Sequence, residues 1–259
     1  MNLTDDMILK FQKGSPVFLD DICAIYPATI GEIVDEGYSN FEKYLSILIT
    51  EKPIIKDKKD PELKQLLDNL TDFQFMLMMT QIDFEANATL RQAFKFFTHE
   101  DAIFSISPAQ IILGPVEENH LLTEEKFYDF QRILKKMYFL DSSEEEIIIY
   151  DTDDVATKRI KMKMRENREK VRKAKAKKAA REKNELQFSD LLASIAINDC
   201  GLNMENIWNI TYYAFHDQLK RMGWRDQFNI NNRAALAGAK LKKSQLKHWM
   251  RSIASSDKS

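Results

Sequence analysis

Apolar residues recur at three- and four-residue steps along much of this chain, the period of a helix with one buried face. From Thr29 to Leu48 the row is Ile30, Ile33, Val34, Tyr38, Phe41, Tyr44, Leu45 and Leu48, and Gly37 predicts a break into two helices. Asp60-Pro61-Glu62 reads as a helix start, with Asp60 as N-cap, and Leu63, Leu66, Leu67 and Leu70 come after it. The run from Phe73 to Met79 is apolar on nearly every side and predicts a buried helix, with a Met-rich adaptable groove as the sharper alternative. Asn87 to Phe97 predicts another amphipathic helix. Thr123-Glu124-Glu125 opens one that runs to Phe139, with Phe127, Phe130, Ile133, Leu134 and Met137 on its apolar face.

Two short β-friendly runs, Ala102–Ile106 and Gln110–Leu113, flank Ser107-Pro108 and predict a hairpin closed by Gly114-Pro115. Glu146–Tyr150 is a candidate third strand, or a tether to the next part of the chain.

Beyond Asp154 the pattern changes. The stretch 156–184 has no Gly, Pro, Leu or aromatic residue and consists almost wholly of strong helix formers. Its apolar residues, Ile160, Met162, Met164, Val171 and scattered alanines, do not make the heptad stripe of a strong coiled coil, so an exposed or weakly packed single helix is expected. The pattern turns amphipathic again from Leu186. Leu191, Leu192, Ile195, Ala196 and Ile197 predict a short helix with Ser189 as its N-cap. A stronger helix is expected over Met204–Met222, and a further one from Phe228 to Gly238. A last segment carries Leu246, Trp249, Met250 and Ile253. The expected fold class is therefore mainly α with minor β, in three parts: a helical N-terminal domain with a small β-hairpin over 1–154, a long basic linker helix over 155–185, and a small all-α C-terminal domain over 186–259.

Charge sharpens this division. The chain has 38 Lys and Arg against 40 Asp and Glu, a formal net charge of −2. The stretch 156–184 alone carries 14 cations and 3 glutamates, which leaves an acidic remainder. Lys158, Arg159, Lys161, Lys163, Arg165, Arg168, Lys170, Arg172 and Lys173 make its core. Such a helix suits a phosphate backbone. It equally suits a solvated spacer that neutralises an acidic body. The absence of interleaved aromatics, which would stack on bases, favours the spacer.

Catalytic signatures are scarce. His99, His120, His216 and His248 stand at no metal-like spacing, and His216 beside Asp217 reads as a helix-surface histidine. No Walker loop, G-x-G-x-x-G, G-x-S-x-G or H-E-x-x-H occurs. Asp20-Asp21, Asp72, Asp83-Glu85 and Asp151-Asp153-Asp154 read as solvated or capping carboxylates. The expectation is a protein that is not an enzyme, with no metal and no cofactor. Cys23 and Cys200 stand alone, which fits a reducing compartment. No run approaches the roughly eighteen apolar residues of a membrane span, and Met1–Gly14 lacks the apolar core of a secretory leader.

All three tryptophans lie in the last region, where Trp208, Tyr212, Tyr213, Phe215, Trp224 and Trp249 are the candidate partner-binding residues. A small domain core is the competing reading. Tyr212 and Tyr213 are adjacent, so one of them should face away from such a core.

The segments Ile207-Trp208-Asn209-Ile210-Thr211-Tyr212-Tyr213-Ala214-Phe215-His216-Asp217-Gln218-Leu219, Ala235-Leu236-Ala237-Gly238-Ala239-Lys240 and Leu246-Lys247-His248-Trp249-Met250 resemble the C-terminal signature of a protein family encoded by phages and prophages of Gram-positive bacteria. Phe18–Pro27 and Ser189–Ile195 are similar to other parts of the same family. That family sits among tail-morphogenesis proteins and resembles tail assembly chaperones in organisation. The resemblance implies a binding role in the host cytoplasm during phage assembly, or in the virion if the protein is a retained tail part. The implied partners are tape-measure and tail-tube proteins, with self-association as a further expectation; no membrane partner and no catalytic residue is implied.

Overall fold

The computed structural model describes residues 4–53, 67, 69–115, 120–140, 154–181, 186–197, 201–242 and 247–250. The fold is mainly α with minor β. Helix α1 spans Asp5–Lys13. It is capped by the Thr4 side chain, which accepts from the Met7 amide, and closed by Gly14 at φ 81°. Strands β1 (Val17–Leu19) and β2 (Cys23–Ile25) pair antiparallel, Val17 opposite Ile25. Helices α2 (Ile30–Glu36) and α3 (Tyr38–Ile49) come next, divided at Gly37 as its place in the apolar row predicts. Thr29 and Glu32 form a reciprocal capping box at the start of α2.

Helix α4 spans Asp72–Ile82 and α5 spans Phe84–Thr98. Asp83 caps α5 and starts it earlier than the apolar row does. The helix expected from Asp60 lies largely outside the described residues. Strands β3 (Ala102–Ile106), β4 (Ala109–Leu113) and β5 (His120–Leu122) form an antiparallel meander, so the expected hairpin is present. Its third strand is His120–Leu122. Glu146–Tyr150, the candidate drawn from the sequence, lies outside the described residues. Helix α6 (Glu124–Met137) buries Phe127, Phe130, Ile133, Leu134 and Met137, the face its period predicts.

Helix α7 (Val155–Arg181) is the basic helix, and α8 (Phe188–Ile197) comes after it. The Gln187 amide donates to the Asp190 carboxylate at 2.9 Å, so Ser189 stands inside the first turn of α8 and is not its N-cap. A 3-10 turn at Ile207–Asn209 precedes α9 (Tyr212–Leu236). The expected helix over Met204–Met222 begins only at Tyr212, because Thr211 caps it by accepting from the Ala214 amide. The expected second helix from Phe228 is the continuation of the same one, which runs through Gly223 without a break. Among the described residues, no helix is long and apolar enough to cross a membrane.

The larger core gathers α1, both sheets and α3 to α6, with α3 packed on α5 and α6. On α4, Phe73, Met76 and Leu77 are buried. Phe75, Met78 and Met79 are only half-buried, so this helix is covered on one face rather than all round. A smaller core holds Leu192, Ile195, Ile207 and Phe215.

The two cores interlock. Ile30, from the N-terminal part, is fully buried in the smaller core, while Tyr213, from the C-terminal part, is buried in the larger one. Backbone bonds fix the exchange. The Ile30 amide donates to the Ile210 carbonyl and the Tyr212 amide to the Ala28 carbonyl, both at 2.9 Å, so Thr29 and Thr211 form an antiparallel bridge where each caps its own helix. The Ala28 amide donates to the buried Tyr138 hydroxyl at 3.0 Å beside them.

Gly31 permits the approach. A Cβ there would stand 3.0 Å from the Trp208 carbonyl oxygen, a backbone atom that cannot swing aside as a side chain would. Gly31→Ala is therefore expected to lower stability by about 1–2 kcal/mol in urea unfolding, despite alanine's better helix propensity. Gly223→Ala, in the middle of α9 with nothing within 4 Å of the added methyl, is expected to raise it by about 0.5–1 kcal/mol. Equal effects of the two substitutions would refute the close approach as the reason for Gly31.

Candidate interaction site

The six aromatic candidates fall into two groups. Thr211 sets the start of α9 so that its first turns wedge between the two cores. Tyr213 stacks on Phe139 at 4.7 Å and meets Phe11 at 5.4 Å, and Phe215 is fully buried. Tyr212, half-buried, touches Phe41, Tyr138 and Phe188 and packs against both cores. Adjacent tyrosines thus both point into protein, because this stretch of α9 is covered on two sides. Trp208 is half-buried against the smaller core and donates from Nε1 to the Met204 carbonyl at 2.7 Å. These four residues belong to the interlock, and burial withdraws Tyr213 and Phe215 from any free surface.

Trp224 and Trp249 lie elsewhere. Trp224 stands twelve residues beyond Tyr212, about 18 Å along the helix axis, with the Lys220 ammonium 5.6 Å from its ring. Phe228 meets His248 at 5.0 Å and His248 stacks on Trp249 at 5.8 Å, so residues 247–250 lie along the outer half of α9. On the same half of the helix, Ile230 is 61% exposed and Leu236 89% exposed. The aromatic pattern in the sequence does not single out these two aliphatics, which stand among the polar residues Asn229, Asn231, Asn232 and Arg233.

Helix α7 opens on Asp154, whose carboxylate accepts from the Ala156 and Thr157 amides and from the Thr157 hydroxyl, bonds that hold it below its ordinary value. Lys158 and Lys161 are half-buried, whereas Arg159, Lys163 and Lys170 are exposed. Arg165 is buried and bidentate to Asp72, with Nη2 to Oδ2 at 2.6 Å and Nη1 to Oδ1 at 3.0 Å, and Glu51 lies 3.5 Å from its Nε. Burial alone would push this guanidinium down, but the Asp72 and Glu51 carboxylates outweigh it and raise it. Asp72 also accepts from the Lys52 amide, and the buried Lys52 ammonium donates to the Leu67 and Leu70 carbonyls. Contrary to the expectation from sequence, Asp72 is neither a solvated nor a capping carboxylate: it is the buried counter-ion that seats the basic helix. Arg168, Arg172 and Lys173 continue α7 beyond this anchor.

His216 also departs from its expected surface position. It packs on Tyr212 at 4.2 Å, Phe215 at 5.1 Å and Phe139 at 5.8 Å, and burial lowers its pKa from 6.5 to about 4. Cys23 is buried in the larger core, where burial and then Glu100 raise its thiol to about 12. A cleft of about 540 Å³ opens between α2 and α5, lined by Tyr26, Glu32, Asp35, Glu36, Lys95 and His99 among others. Two of its acids are engaged within the fold, Glu32 at Thr29 and Glu36 with the Tyr44 hydroxyl. Among the described residues, no group of three or more His, Cys, Asp or Glu is arranged to hold a metal.

Asp72→Asn leaves the Arg165 guanidinium buried without its counter-ion and is expected to cost about 3 kcal/mol or more. Asp72→Leu with Arg165→Met should recover most of that loss in a double-mutant cycle read by urea midpoints. The response to pH has a defined sign. The unfolded chain binds a proton at His216 near pH 6.5 and the folded chain only near 4, so this residue removes stability as pH falls through that window. His216→Gln should make the decline between pH 6.5 and 5 shallower; parallel curves for the two proteins would refute the burial of a neutral imidazole.

Residues 176–254 match the family model described as YomV second domain, a stretch that runs from the end of α7 through the outer half of α9. No curated protein and no solved structure matches the chain. What the last third of this chain is similar to, then, is the second domain of YomV, and that match suggests a phage-derived family.

Proposed function

We propose that this chain is a non-catalytic phage tail assembly protein that works in a chaperone-like way, holding tape-measure or tail-tube subunits during morphogenesis in the host cytoplasm. The observation that carries the reading is the outer half of α9. Ile230 and Leu236 stand exposed there, within the stretch that resembles the YomV second domain. Large apolar side chains left exposed among polar residues on a helix are an ordinary means of reversible protein recognition. A long helical client with apolar faces needs such a surface until its permanent partners cover it. Release has to be easy, which suits a few exposed aliphatics better than a deep pocket.

The test is co-expression of the full chain with the tape-measure protein of the same phage. The wild-type protein should keep that client soluble, and Ile230→Glu with Leu236→Glu should let it precipitate while its own unfolding midpoint stays within about 0.5 kcal/mol of wild type, as for substitutions at exposed sites. A client that precipitates with the wild-type protein present overturns the chaperone reading. A client kept soluble by the double variant overturns only the assignment to α9. Mass spectrometry of purified particles separates the alternative, a tail or baseplate component, which would be found there at fixed copy number.

A further inference from the structure

Helix α7 presents more than cations. With Arg165 turned to the body, three apolar side chains still face solvent: Ile160 is 62% exposed, Met164 48% and Val171 51%. Their spacing is four and then seven residues. Asn167, also exposed, and position Ala174 complete a four–three–four–three row from 160 to 174. That is the seam of a coiled coil, with one polar member. It lies away from the face that Arg165 anchors, so seating the helix on the body leaves Ile160, Met164, Asn167 and Val171 open.

The positions that flank this seam are uniformly basic. Lys161, Arg168 and Lys175 come directly after its 160, 167 and 174 positions; Lys163 and Lys170 precede its 164 and 171 positions. In a two-stranded coiled coil these flanks meet the flanks of the partner and choose it by charge. A second copy of α7 would bring Lys and Arg against Lys and Arg in either direction. A duplex phosphate backbone would satisfy the cations but leave Ile160, Met164 and Val171 in water.

We propose that α7 is one strand of a heteromeric two-helix coiled coil, whose other strand is an amphipathic helix of a partner protein with acidic residues on both sides of its apolar seam. The seam is only about two heptads long, below the length at which a helix pair is stable alone, so the contact is reversible and depends on the charged flanks. Asn167 favours a polar residue opposite it and thereby fixes the register. This surface is separate from the outer half of α9, and the inference does not rest on the tail-assembly reading.

The test uses the full chain and a synthetic 21-residue peptide with Leu on its seam, one Asn to face Asn167, and Glu at every flanking position. Fluorescence anisotropy should show binding in the range of about 1–100 µM, as a short, exposed pairing implies. A scrambled peptide of the same composition and a 20-base-pair duplex should bind at least tenfold more weakly. Ile160→Gln, Met164→Gln and Val171→Gln together should weaken the seam peptide at least tenfold; all three sites are exposed, so the unfolding midpoint should not move. Equal binding of the scrambled peptide or the duplex, or full binding by the triple variant, would replace the proposal with general polyanion binding. No binding of the seam peptide at low salt overturns it outright.

Discussion

The rest of the structure depends on one short antiparallel bridge, where Thr29 and Thr211 face each other and each begins a helix. Two backbone hydrogen bonds there would contribute about 1 kcal/mol each in isolation, too little to hold two parts of a protein together. Their importance is geometric. They set the two helix starts so close that Ile30 enters one core and Tyr213 the other, and each buried side chain then contributes a few kcal/mol of apolar burial. Gly31 keeps the interface free of a side chain at the closest point, and Tyr138 satisfies the Ala28 amide behind it. With both helix starts fixed, the direction of α9 is fixed, and so is the position of its outer half.

A second constraint is ionic and sits at the other side of the body. Asp72 is one carboxylate serving Arg165 and the Lys52 amide, with Glu51 at the rim. A buried pair of this kind adds little net stability compared with apolar side chains of the same shape, but it is intolerant of losing one member. Its effect is to specify where the basic helix lies: Arg165 is buried in a bidentate pair while Arg159, Lys163 and Lys170 remain exposed. The helix is thus held in one orientation, with Arg159, Lys163 and Lys170 and the apolar Ile160, Met164 and Val171 turned outward.

Much of this fold is legible in the chain. The rows of α3, α5 and α6 fall where three- and four-residue spacing puts them, and Gly37 divides α2 from α3. The parts that are not legible have physical reasons. Helix α1 carries clear end signals in Thr4, Asp5, Asp6 and Gly14, but it is only nine residues long and buries just Met7 and Phe11, too few to make a periodic row. Strands β1 and β2 are three residues each, too short for alternation to show. Ile207 and Trp208 fit a helical spacing and so place the start of α9 too early; Thr211 overrides them by capping further along the chain. For the candidate site, sequence identifies the aromatic group but cannot divide it. Burial of Tyr213 and Phe215 depends on contacts with residues such as Phe11, Phe139 and Phe188, which no local pattern reveals. Asp72 looks like any helix-start carboxylate because its partner stands 93 residues away.

That distance in sequence has a consequence for the order of events during synthesis. Gln12 and Asp217, joined at the interlock by a 3.4 Å hydrogen bond, are separated by 205 residues. Ribosomes deliver roughly 5–20 residues each second, so the N-terminal segment is outside for about ten to forty seconds before Thr211 arrives. Through that interval Ile30 has no pocket and Tyr213 is not yet made. The nascent body therefore carries an open apolar notch whose natural occupant is its own unsynthesised tail, so the chain cannot close upon itself before its last quarter is made.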